Sequence, residues 1–126
     1  MPIFHSDMAP KAIGPYSQAV GVDNLVFVSG QIPVDPATGV MPEGIEAQTR
    51  QSLENIKHIL VAAGLDFSNV VKSTVFLVSM ADFAGMNKIY AEYFSEPYPA
   101  RAAFAVVELP KGAQVEIEVI ASRTGK

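Results

Sequence analysis

A chain of 126 residues suits one domain, residues 1–126, large enough to fold around its own core. The 13 acidic and 9 basic residues give a formal net charge of −4, and the absence of a basic run argues against nucleic acid as a partner. There is no cysteine, which excludes disulfides, thiolate nucleophiles and cysteine-based metal sites.

Only 17% of residues are charged, against about a quarter in ordinary globular domains, while 49% are apolar. Such a chain has little polar side-chain surface to offer water, and large apolar patches on soluble proteins become subunit interfaces. An oligomer is expected. No apolar run approaches membrane-spanning length, and residues 1–20 lack a charged segment followed by an apolar one. The expected setting is the cytoplasm, with no membrane partner.

Residues 1–17 contain Pro2, Pro10, Gly14 and Pro15 and read as a short strand followed by an irregular loop. The largely apolar runs Gln18–Val22 and Leu25–Ser29 flank Asp23-Asn24, a two-residue hairpin signal. Asp35-Pro36-Ala37-Thr38-Gly39 is turn chemistry. Over residues 46–63, Leu53, Ile56, Ile59, Leu60 and Ala63 recur at helical spacing, and Gly64 is placed to end the helix. Val70–Val78 is β-prone. Asp82 suits an N-cap, and Phe83, Met86, Tyr90, Tyr93 and Phe94 form one helical stripe before Pro97. Two strands close the pattern, near 101–107 and 114–121, joined by Leu109-Pro110-Lys111-Gly112-Ala113. The order β-β-β-α-β-α-β-β predicts an α+β fold with two helices on one face of a sheet, the other face being left open for subunit packing.

Most catalytic patterns are missing. His5 and His58 are the only histidines and lie far apart, so metal catalysis is not expected. Ser29, in Val28-Ser29-Gly30-Gln31, lacks the flanking glycines of a nucleophile elbow and reads as a turn hydrogen-bonder. No phosphate-cradling glycine pattern occurs. Tyr16, in a stiff Gly-Pro loop, and Asn87, on the apolar margin of the second helix, are polar candidates whose simpler reading is structural.

Arg101 is the most informative residue. It ends Pro97-Tyr98-Pro99-Ala100-Arg101 and opens a strand of small and apolar neighbours. A guanidinium in such surroundings needs an anion, because an unpaired buried charge is strongly unfavourable. Alternation along the last strand puts Glu116 and Glu118 on one face. A simple hairpin between the last two strands sets Arg101 opposite Ile120, with Glu118 as its diagonal neighbour and Glu116 further along that face. The anion is then one of these glutamates or the carboxylate of a ligand.

Taken together, several segments resemble the RidA (YjgF) family of reactive-intermediate imine/enamine deaminases. They include Ala12-Ile13-Gly14-Pro15-Tyr16-Ser17-Gln18-Ala19, Val28-Ser29-Gly30-Gln31-Ile32-Pro33, Gln48-Thr49-Arg50-Gln51-Ser52-Leu53-Glu54-Asn55, Pro99-Ala100-Arg101 and Val115-Glu116-Ile117-Glu118. Each is weak alone, but they cover nearly the whole chain in the family's order. The resemblance implies a chorismate-mutase-like fold and a homotrimer with clefts between subunits. It also implies hydrolysis of 2-imino acids, derived from 2-aminoacrylate or 2-aminocrotonate, to 2-keto acids and ammonia, with no cofactor. The arginine matching Arg101 then grips the substrate carboxylate and the glutamate matching Glu116 holds the attacking water, while Tyr16, Ser29, Gly30 and Asn87 match cleft residues. Members lacking that arginine are not expected to be deaminases. Many members carry a cysteine where this chain has Ala103, which bears on pocket shape and on the choice between smaller and larger imines. A non-catalytic keto- or amino-acid-binding trimer and an endoribonuclease or holdase role are the alternatives.

Overall fold

The computed structural model describes residues 1–125. Six strands, β1 (Ile3–Phe4), β2 (Ala19–Val22), β3 (Leu25–Gln31), β4 (Val70–Leu77), β5 (Ala100–Ala105) and β6 (Val115–Ser122), form one sheet in the order β1-β2-β3-β6-β4-β5. Helices α1 (Ile45–Ala62) and α2 (Phe83–Tyr93) follow β3 and β4 in the chain. The expected α+β architecture, two helices on one face of a mixed sheet, is the one observed. No helix among the described residues is long and apolar enough to cross a membrane.

Local chemistry accounts for most of the elements. The β2–β3 hairpin closes on Asp23-Asn24 with Val22 opposite Leu25, and Asp23 takes the left-handed φ of 52° that such a tight turn demands. The stripe on α1 buries Leu53, Ile56, Ile59 and Leu60 completely against the sheet. Its C-terminus turns at Gly64, φ 77°, with the Leu65 amide donating back to the Leu60 carbonyl at 2.9 Å. Asp82 departs from expectation: it precedes α2 in helical geometry and its side chain caps nothing, while Ser79 accepts from the Ala81 amide at the preceding 3-10 turn.

The core lies between the helices and Val26, Val28, Val75, Leu77, Val115, Ile117 and Val119 of the central strands. Two buried amides tie loops to α1. Asn55 donates to the Val34 carbonyl at 2.9 Å, and Gln48 donates to the Pro42 carbonyl while accepting from the Gln114 amide. Both satisfy backbone groups that would otherwise be buried without partners.

The hairpin expected between the last two strands does not form. β5 pairs parallel with β4, and β6 runs antiparallel between β3 and β4. The reason is the helix between β4 and β5: a strand–helix–strand connection is a crossover, which lays its second strand parallel to the first. β6 then fills the slot between β3 and β4, hydrogen-bonded on both edges, where Val115, Ile117, Val119 and Ala121 are all buried.

Candidate functional site

This topology moves Arg101 away from its expected neighbours. Arg101 lies opposite Ser73, and Ser73 lies opposite Val119; all three side chains sit on the helix-covered face. Glu116 lies opposite Phe76, and Phe76 opposite Phe104, on the open face. Glu118 shares that face, opposite Thr74. The two glutamates are on one face as expected, but the arginine is not with them, and neither is its intrachain partner. Among the described residues no carboxylate pairs with Arg101; the ion pairs present are His5–Asp7, Arg50–Glu92 and Lys88–Glu46.

Arg101 is exposed rather than buried as expected, because β5 is the edge strand, so its charge does not require an intrachain anion; it is nonetheless held in place. Its guanidinium donates to Asn87 Oδ1 at 2.7 Å and lies over the rings of Tyr90, 4.7 Å from the centroid, and Phe83, 5.5 Å away. A planar guanidinium stacks on aromatic faces while keeping its remaining N–H groups free to donate. Tyr90 is itself fixed by a 2.6 Å hydrogen bond with Ser73 and by stacking on Phe94. Burial pushes the Tyr90 phenol above its usual pKa, against the opposing pull of the Ser73 hydrogen bond and the Arg101 charge. Ala103, two residues along β5, opposes Val75 and packs half-buried on the core. The platform of Phe83 and Tyr90 was hidden in the sequence inside an apolar stripe; the paired strand–helix–strand connection was the signal that placed it beside Arg101.

The second cluster gathers round a cleft of about 970 Å³ lined by Tyr16, Gly30, Lys111 and Glu116 among others. Between Val28 and Gln31 the β3–β6 register slips, so that Ser29 and Gly30 together face the single residue Glu118. The bulge brings the Gly30 backbone against the Glu116 side chain: a β-carbon there would sit 2.1 Å from Glu116 Oε2 and 2.9 Å from Cδ. Only hydrogen fits. Burial first, and then the neighbouring Glu118 charge, raise the Glu116 pKa above its ordinary 4.5. Glu118 is exposed and lies outside the cleft.

The cleft wall is braced from behind. The Gln18 amide donates to the carbonyls of Ser6 and Pro10 and accepts from the Ser6 amide, holding the loop that carries residues 6–10. Ser29 Oγ donates to the Ser17 carbonyl at 2.6 Å, as its turn-bonding reading predicts. Tyr16 is half-exposed, its phenol oxygen accepting from the Ile13 amide at 3.4 Å. Among the described residues no three metal-ligating side chains gather anywhere. The structure thus brings Tyr16, Gly30 and Glu116 together at the cleft, with Ser29 behind them. It places Asn87 and Arg101, with Ala103 beside them, on the other face at the β5 edge.

A sheet of this order with helices on one side and a glycine-backed glutamate on the other defines an α+β protein whose two polar clusters lie on opposite faces of the sheet. A family model described as endoribonuclease L-PSP matches residues 6–123. The chain is 55% identical over 120 residues to protein DfrA of Myxococcus xanthus, covering 93% of this chain and 92% of that one. It is 52% identical over 120 residues to the 2-iminobutanoate/2-iminopropanoate deaminase of Capra hircus, covering 94% and 88%. Among solved structures, E. coli TdcF with bound serine superposes with a TM-score of 0.93 at 47% identity, covering 98% of this chain and 99% of that one. The chain belongs to the RidA (YjgF) family, in which imine deaminases occur.

Proposed function

We propose that this protein hydrolyses reactive 2-imino and 2-enamino acids to 2-keto acids and ammonia, without a cofactor, in a homotrimer whose clefts are shared between neighbouring copies. The observation that carries the reading is Arg101, oriented by Asn87, Phe83 and Tyr90 yet lacking a carboxylate among the described residues. Arg101 and Glu116 occupy opposite faces of one sheet, so a single chain does not present both to one small molecule. A second copy supplies the missing half. The open face, with Val22, Leu25, Phe27 and Phe104 exposed, offers the apolar area for such packing.

In this reading the partner copy's guanidinium binds the substrate carboxylate bidentately and fixes the imine carbon beside the Glu116 carboxylate. Glu116 takes a proton from water as the water oxygen bonds to that carbon, and returns it to the imine nitrogen as the C=N π bond breaks. The carbinolamine's hydroxyl proton then passes by way of Glu116 to the amino group, the C–N bond breaks, and ammonia leaves with the keto acid. A raised Glu116 pKa suits a group that must accept and return a proton. The name of the Capra hircus relative and the amino acid bound to TdcF support this substrate class. A net charge of −4 does not favour the nuclease activity that the family description names.

The test is pyruvate release from 2-aminoacrylate generated by a PLP-dependent dehydratase. Wild type should exceed a protein-free control, and equal rates would sink the deaminase reading. Arg101→Ala should lose about 2–5 kcal/mol of transition-state stabilisation, roughly 30- to 5,000-fold in kcat/KM. Arg101→Lys should rescue little, since an ammonium neither forks nor stacks in the same way. Co-refolding Arg101→Ala with Glu116→Gln chains should rebuild about one cleft in four from two inactive variants, as a cyclic assembly of shared sites requires. A mixture as inactive as its parents would refute the shared cleft.

A further inference from the structure

The cleft beside Glu116 measures about 970 Å³ in the single chain, before the proposed partner copy closes it. Its charged lining is two lysines and two carboxylates. Lys11 and Lys111 both line it, and neither forms an ion pair among the described residues. The acidic residues in the wall are Asp7, bonded to His5 at 2.8 Å, and Glu116, which the proposed reaction employs as base.

Lys111 also carries a backbone anomaly. It sits at φ 58°, ψ 21°, inside the short turn Pro110–Gly112 that leads into β6, and Gly112 after it has φ 73°. The left-handed region is unfavourable for a residue with a β-carbon and free for glycine. A glycine at 111 would make this turn without strain. The turn geometry therefore gives no reason for a lysine, and the side chain must supply one. Lys111 carries a positive charge and lines a cleft whose proposed substrate is an acid.

We propose that Lys111 recognises a second anionic group on the substrate, so that the cleft takes 2-imino acids whose side chain ends in a carboxylate. Lys11 adds to the local positive potential. This rests on the deaminase reading above: the partner's guanidinium binds the carboxylate next to the imine carbon, and Lys111 binds the distal one. A flexible ammonium suits this task, because it follows a side-chain carboxylate of varying length as a point charge. The reacting bonds are unchanged; the inference concerns which imine is selected.

The experiment compares wild type, Lys111→Gly and Lys111→Arg on two imines made in situ by amino-acid oxidases, one from a dicarboxylic amino acid and one from a neutral four-carbon amino acid. The readout is the ratio of kcat/KM for the acidic imine over the neutral one. Lys111→Gly, which relieves the backbone strain and should melt no lower than wild type, is expected to cut that ratio by about tenfold or more, chiefly through KM for the acidic imine. Lys111→Arg should keep it within about threefold, since the charge remains. A ratio that falls by less than tenfold in Lys111→Gly, or as far in Lys111→Arg, overturns the proposal. Should wild type accelerate neither imine, the deaminase reading fails on its own, and calorimetry with the dicarboxylic keto acid decides the anion site. Binding weakened about tenfold in Lys111→Gly upholds it, and unchanged binding overturns it.

Discussion

Gly30→Ala isolates the contact between the β3 bulge and the Glu116 carboxylate. The added β-carbon would lie 2.1 Å from Oε2, where ordinary van der Waals contact begins at 3.4 Å, so the carboxylate must retreat by about 1.3 Å. Gly30 does not have a positive φ, so alanine brings no backbone strain. The atoms it meets are the far end of a flexible, half-buried side chain, which can swing aside. Folding stability should therefore fall by no more than about 1 kcal/mol. Activity should respond far more, because a displacement near 1 Å of a group that orients the nucleophile costs about 100-fold. The assay pairs thermal melts with kcat/KM for imine hydrolysis on the same preparation. The reasoning is refuted if Gly30→Ala keeps activity within about threefold of wild type while a crystal structure shows the carboxylate displaced. It is equally refuted if the carboxylate has not moved and activity is lost.

The raised pKa of Glu116 carries a sign that can be checked. A carboxyl whose folded pKa lies above 4.5 favours the folded state in its neutral form, so its contribution is fully present below 4.5 and is lost as pH rises through the folded value. Glu116→Gln should therefore gain stability relative to wild type as pH is raised across that window, and thermal melts at pH 4 and pH 7 would show it; a difference that shrinks contradicts the assignment. In catalysis the base must be ionised, so the acid limb of kcat/KM should lie above 4.5 in wild type and vanish in Glu116→Gln. Asn55 is fully buried and donates to the Val34 carbonyl on the cleft wall. Asn55→Leu should lose about 1–3 kcal/mol in denaturant unfolding by orphaning that carbonyl, and a neutral effect would show that solvent reaches it.

The helices and the β2–β3 hairpin were legible because each is dictated locally: a 3.6-residue stripe for α1, a two-residue turn at Asp23-Asn24. Glu116 and Glu118 sharing a face was equally legible, since alternation is a property of one strand. What was not legible was the placement of Arg101, because the apparent turn at Pro110-Lys111-Gly112 suggested a local pairing. The longer-range consequence of the α2 crossover overrode it. Asn87 shows the same limit. Its amide reads as a backbone partner on the helix margin, whereas the parallel β4–β5 pair delivers a guanidinium to it. The Gly30–Glu116 contact depends on a bulge that no single-strand pattern reveals. In the sequence Lys111 reads only as part of a turn, although a lysine preceding glycine where the chain reverses is the visible clue.

The central position of β6 has a consequence for how the chain is made. β3 ends at Gln31 and finds its inner neighbour only at Val115–Ser122, so the sheet has no middle until β6 has been synthesised. Until then the nascent protein holds two separate ribbons, β1–β3 and β4–β5, each with an unpaired inner edge. Such long-range pairing slows folding and leaves those edges open to wrong partners. When β6 does arrive, it brings Glu116 with it. The core and the carboxylate-bearing wall of the cleft are therefore completed in one late event.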